Sequence, residues 1–237
     1  MARNLLAIVQ AATLEMGLLA PVAVYGNPDG QTGQFLGLAN RIGNELAQIE
    51  GGWEALRGEQ LITTVPGQAS YPFPTDYAYY VMETMWNRSG RLPIAGPVSA
   101  SAWQMIQAGF LPAGAYMRFR IMAGQITFDP VPTVAGQLAI EYVKNTWCQS
   151  AAGTPQTAFS ADTDIPLLPD DLFVLGLKWR FLSAKGYNYS EEMADYQLAL
   201  SRLRPRDFVM ETINMRGSRV GSQFLNPGLI ANGGYPV

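Results

Sequence analysis

Four carboxylates crowd one short stretch of the chain: Asp162, Asp164, Asp170 and Asp171. A glycosidase needs two carboxylates facing across a cleft, and a calcium site needs roughly six to eight oxygens. The cluster lacks the glycine-punctuated spacing of a calcium loop. Asp170-Asp171, just behind Pro169, already has a structural reading as a helix start, with Asp170 as its cap. Histidine is absent from the sequence. That removes Ser-His and Cys-His nucleophile pairs, the usual imidazole base and nearly all transition-metal sites. The single cysteine, Cys148, permits no disulfide within the chain and no cysteine-built zinc site. It reads as a small hydrophobe. Arg88, Arg91, Arg118 and Arg120 could touch phosphate, but a solvated strand face accounts for them. The aromatic run Tyr77, Tyr79, Tyr80 and Trp86 suits core and sheet surface better than a sugar platform. No P-loop, dinucleotide fingerprint or nucleophile elbow is present. The expectation is a protein with no catalytic residue, no cofactor and no metal.

Composition narrows the partners. The 237 residues carry a net charge of −3, and no basic block offers the clustered cations that a sequence-independent grip on nucleic acid requires. No apolar run is long enough for a membrane span. Gln10 and Glu15 interrupt the apolar N-terminal stretch, so it does not read as a signal peptide. A lone cysteine fits synthesis in a reducing cytoplasm.

The elements that would position these residues fall into three parts. Asn4 can cap a first helix bearing Leu5, Ile8, Val9 and Ala12, stopped by Gly17. A linker with Pro21, Gly26, Pro28 and Gly30 follows. Thr32 can cap a second helix to about Glu50, with Phe35, Leu38, Ile42, Leu46 and Ile49 as its apolar stripe. Its other face is small: Ala39, Gly43 and Ala47, with Gly33 and Gly37 adding another small pair. Each glycine inside a helix costs about 1 kcal/mol against alanine, so close approach of another backbone is expected there. Two readings stay open, a tight helix pair within the chain or a seam between subunits at Gly37, Ala39, Gly43 and Ala47.

The middle part reads as antiparallel β. Gln60 to Val65 is rich in β-branched residues, and Pro66-Gly67 turns the chain. Pro72 and Pro74 bar a helix, and Tyr77 to Trp86 reads as one strand. Ser99 can cap a short helix closed by Gly109. Tyr116 to Ala123 alternates, with Met117, Phe119 and Ile121 on one face, and Gly124-Gln125 turns it into a hairpin. Gln137 to Trp147 alternates again, and residues 150–164 read as loop. A nearly all-apolar helix follows from Asp170 to Gly186. A last helix opens at Ser190-Glu191-Glu192, acids at its positive end, and is expected to stop at Pro205.

From Arg206 onward periodicity is lost. Apolar residues recur only in small groups: Phe208 and Met210, Phe224-Leu225, Leu229-Ile230. Such a tail cannot bury itself alone, and it reads as an arm that fills pockets on a partner.

The fold class expected is α+β: a helical bundle (1–58 with 165–205), an inserted antiparallel β region with a short helix (59–150), and an extended C-terminal arm (206–237).

The ordered set Trp53-x-x-Leu56, Gly67-Gln68-x-x-Tyr71-x-x-Pro74-x-Asp76, the Pro97 to Trp103 stretch, the Tyr142 strand and the Pro169-Asp170 helix resembles the head-to-tail adaptors of short-tailed bacteriophages. That group includes tail tubular protein A and the first tail accessory factor. The resemblance spans about residues 5–205. It implies a homo-oligomeric ring, usually a dodecamer, in the virion at the head–tail junction. Such a ring docks on the portal protein, gives the tail nozzle its platform, and encloses viral DNA without reading its sequence. Another tail part, a completion or tube protein, and a carboxylate-dependent glycan hydrolase are the alternatives. On the adaptor reading, Phe208, Met210, Phe224, Leu225, Leu229 and Ile230 meet the portal or a neighbouring subunit.

Overall fold

The computed structural model describes residues 3–49, 52–109 and 117–207. The class is α+β: these residues form five helices and antiparallel sheets, built around two cores.

Helix α1 (Leu5–Glu15) starts where Asn4 accepts a hydrogen bond from the Ala7 amide, and it ends before Gly17 at φ 71°. Helix α2 (Gly30–Ala47) is capped by Asp29, not Thr32. The Asp29 carboxylate accepts from both the amide and the hydroxyl of Thr32. Thr32 is therefore a partner of the cap and lies one turn inside the helix, because a carboxylate one turn earlier satisfies the same free amides. Helix α4 (Asp170–Lys185) has Pro169 at its N-cap position, with no side-chain cap bond, and Gly186 at φ 77° closes it. Asp170 is thus the first helical residue and not the cap. Helix α5 (Ser190–Asp207) continues through Pro205 instead of stopping there. The proline there gives up one i→i−4 hydrogen bond and crowds the carbonyl four residues back, and the helical backbone runs two residues beyond it.

The helical core joins α1, α2 and α4. Leu5, Ile8, Phe35, Ala39, Ile42, Leu46, Leu172, Phe173 and Leu177 are fully or almost fully buried. Phe35 stacks on Phe181 across α2 and α4, with ring centroids 4.7 Å apart. Burying a side chain of that size contributes about 1.5–3 kcal/mol. Helix α5 lies mainly on α4, and Tyr196, Leu200 and Leu203 are its half-buried contacts with this core.

Strand β1 (Arg57–Thr63) pairs along its whole length with β8 (Gln137–Lys144), antiparallel. The other edge of β8 takes β3 (Tyr77–Tyr80) and β4 (Trp86–Asn87), and β4 carries β5 (Leu92–Pro93). The expected single strand from Tyr77 to Trp86 is therefore two, broken by a turn in which Glu83 has φ 62°. A second sheet orders β2 (Ser70–Pro72), β7 (Gln125–Asp129) and β6 (Arg118–Met122). Ala123 and Gly124, at φ 49° and 72°, make the two-residue turn joining β6 to β7. Between the sheets lie Ile62, Tyr80, Met85, Phe119, Ile126, Phe128, Leu138 and Ile140. Helix α3 (Ala100–Gln107), capped by Ser99, buries Trp103 and Ile106.

The stretch 150–164 is more than loop. Strand β9 (Cys148–Gln149) pairs with both β10 (Pro155–Gln156) and β11 (Ile165–Pro166). Strand β8 ties the two cores together. Leu138 and Ile140 belong to the β core, while Val143 and the following Trp147 belong to the helical one.

Candidate partner-binding surfaces

The acidic cluster is dispersed into structural bonds. Asp162 accepts from the amides of Val24 and Tyr25 and so pins the loop between α1 and α2. Asp164, 1% exposed, accepts from the Ser160 amide and hydroxyl and from the Ala161 amide. Asp170 accepts from the backbone and side chain of Arg3, and Asp171 pairs with the same guanidinium. Partial burial pushes the Asp170 carboxyl upward. The Arg3 hydrogen bonds and charge outweigh that and hold it below the usual carboxylate range. Two carboxylates aimed into one cleft are not what this arrangement supplies. Among the described residues no group of three or more His, Cys, Asp or Glu is placed to hold a metal ion.

Cys148, Arg88 and the aromatic run are also engaged within the chain. Cys148 is fully buried and faces the Gln156 carbonyl. Burial, then the Asp164 charge, pushes its thiol up to about 12. Arg88 pairs with Glu59 on the outer face of the main sheet. Arg91 sits exposed in a turn at φ 54°, and Arg118 and Arg120 lie half-buried on β6. The aromatic run is divided in the same way. Tyr77 stacks on Phe73 at 3.8 Å, the Tyr79 hydroxyl donates to the Ile49 carbonyl, and Tyr80 meets Phe119 edge-on.

The small face of α2 divides in two. Ala39 and Ala47 are buried in the helical core, and a Cβ on Gly43 would stand 2.5 Å from the Trp147 ring. Close approach exists there, and this chain's own Trp147 makes it. For those positions the intrachain reading accounts for the small side chains. Gly37 is different: it is exposed, and a Cβ added to it would meet nothing within 4 Å. Gly33 is the same.

The predicted arm residues Phe208, Met210, Phe224, Leu225, Leu229 and Ile230 lie outside the described residues. Two surfaces that periodicity did not reveal lie within them. The loop after α1 holds Leu19 at 95% and Val22 at 91% exposure. Yet the loop is fixed, by Gln10 to the Pro21 carbonyl and by Asp162 to Val24. The unbroken apolar run from Leu18 to Tyr25 around Pro21, in a segment that Pro21 and Gly26 bar from a helix, was the available signal. At the far end of the β region, Leu92, Ile94, Met117, Val131, Val134 and Leu138 line a mostly apolar groove of about 400 Å³. Exposed apolar surface on a well-fixed loop or groove is characteristic of protein contacts.

Compared with known families, residues 3–220 match the SU10 adaptor protein family. No curated protein matches the chain. Among the described residues no helix is long and apolar enough to cross a membrane.

Proposed function

The chain belongs to the SU10 adaptor protein family, structural adaptors of bacteriophage particles, and from that premise we propose that it forms the ring joining portal to tail. In this reading several copies, twelve by the family habit, assemble at the head–tail junction of the virion. The ring docks on the portal protein, presents a platform to the tail nozzle and continues the DNA channel. The helical part (1–56 with 165–207) builds the ring, the β region (57–150) faces outward or tailward, and the arm (208–237) reaches a partner.

The family match across nearly the whole chain carries this reading. The chemistry is compatible with a conduit. A net charge of −3 gives no strong counterion-releasing hold on DNA, so DNA can pass. The carboxylates that a hydrolase would need are bonded to backbone amides and to Arg3. On this reading the subunit seam would use the Gly33 and Gly37 side of α2, where an added Cβ meets nothing within 4 Å, rather than the Gly43 side, which faces Trp147.

Electron microscopy of the purified assembly, with and without purified portal, tests the proposal. Closed rings that stack coaxially on the portal are expected. Monomers that never bind portal, or labelled protein found along the tail shaft instead of at the vertex, would overturn it.

A further inference from the structure

Strand β1 is an edge, and its open side is defined by hydrogen bonds. The Arg88 amide donates to the Gln137 carbonyl and the Val81 amide to the Glu141 carbonyl, so odd-numbered residues of β8 bond toward β3 and β4. Antiparallel pairing alternates sides residue by residue. Gly58, Gln60 and Ile62, opposite Tyr142, Ile140 and Leu138, therefore bond to β8. The main-chain groups of Arg57, Glu59, Leu61 and Thr63 point the other way. Among the described residues no strand pairs that side. The Glu59, Leu61 and Thr63 side chains are exposed as well. At its far end the edge is closed, where the Val65 amide donates to the Tyr71 hydroxyl. A flat open edge of this length invites another strand unless something covers it.

The sequence after α5 holds a segment of the right composition for such a strand. Phe208-Val209-Met210-Glu211-Thr212-Ile213-Asn214 is as long as β1 and rich in β-forming residues. Arg216-Gly217-Ser218 ends it. It begins immediately after α5, whose Arg204 lies close enough to Tyr79 for its charge to bear on that hydroxyl, as does the charge of Arg57 at the start of β1. Tyr79 itself belongs to β3, on the opposite side of β8 from β1. Folding back onto its own edge would need a turn directly after Asp207, and connections from helix to strand usually take about 2–6 residues. After Asp207, Phe208-Val209-Met210 holds none of the Gly, Pro, Asn, Asp or Ser residues that favour a turn.

We propose that residues 208–214 of one copy add as a strand to the open edge of β1 in the adjacent copy. The exchange gives each subunit one donor and one acceptor, which is what a head-to-tail ring contact requires. It rests on the ring reading above and assigns Phe208 and Met210 to the neighbouring subunit. Residues 216–237 then stay available for the portal.

Residue-resolved amide exchange on the full-length protein tests it, in separated monomer and assembled ring, for wild type and Thr212→Pro. On assembly the Glu59, Leu61 and Thr63 amides should slow at least tenfold. Those of Gln60 and Ile62, already bonded to β8, should change far less. Thr212→Pro removes an amide from the added strand and should abolish the slowing in any ring that still forms. Rings whose edge amides exchange as in the monomer overturn the exchange and leave the ring reading standing. Edge amides already slow in the monomer overturn it too, since the cover is then the chain's own. Absence of any ring overturns the ring reading, and the exchange with it.

Discussion

Gly43 of α2 faces the indole of Trp147. A Cβ at Gly43 would stand 2.5 Å from Cε2, Cζ2 and Cη2 of that ring. The neighbouring Asn44 accepts a 2.8 Å hydrogen bond from the Trp147 Nε1. One turn of α2 thus grips the segment that follows β8 twice, once by fit and once by a polar bond. The contact joins the helical core to the sheet.

Gly43→Ala should therefore destabilise the monomer by about 1–3 kcal/mol, the usual cost of overpacking. Gly43→Leu should prevent folding. Gly37→Ala meets open space and should stabilise the monomer by up to about 1 kcal/mol through helix propensity. Urea midpoints of the isolated monomer decide it. Equal effects at both positions would show that the Trp147 fit is unimportant.

Asp170→Asn should cost on the order of 1 kcal/mol, since it weakens the tie between the N-terminus and α4. The folded carboxyl titrates below its ordinary value of 3.8. Its contribution is therefore complete above that value and is lost as pH falls through the lower folded value. The stability gap between wild type and Asp170→Asn should be constant near neutrality and close in acid. Denaturation midpoints measured across that range provide the check. A gap that persists undiminished at the acid end would rule out the charge of Asp170 as its source.

Cys148 should resist thiol reagents at pH 8 in the folded protein and react fully once urea unfolds it. Its folded value, about 12, lies above the ordinary 9.0. The protonated thiol's contribution is therefore intact below pH 9 and is lost as pH rises toward 12. Cys148→Ala should lack that alkaline component. Rapid labelling under native conditions would show that the thiol is accessible.

Deleting residues 217–237 should leave the far-ultraviolet circular dichroism and the monomer stability unchanged, because the described residues by themselves already form two buried cores. Portal binding should weaken. Trypsin should cut at Arg206, Arg216 or Arg219 in the free monomer, and much more slowly in the portal complex. Unchanged portal affinity after the deletion would refute a portal-binding role for the distal arm.

Much of the architecture was present in local sequence. Asn4 and Ser99 start helices by accepting an amide hydrogen bond on their side chains, and Gly17 and Gly186 stop them by adopting positive φ. The alternation of Met117, Phe119 and Ile121 fixes which side of β6 is buried. The lack of histidine excludes imidazole chemistry whatever the fold. The family-like segment from Gly67 to Asp76 pointed to the adaptor family that the match over residues 3–220 then showed.

What the sequence left open depended on distant partners. Asp170 looks like a cap until Arg3 is seen to claim its carboxylate. Thr32 looks like a cap until Asp29 is seen to reach it. The small face of α2 suits a neighbouring subunit as well as Trp147, because spacing records that something comes close but not what does. An edge strand and a central strand can read alike, and only the pairing of β8 with β1 on one side and β3 and β4 on the other shows which amides remain open. Periodicity is a property of one segment against its surroundings. The identity of those surroundings is set by contacts between residues far apart in the chain, and only the folded structure brings them together.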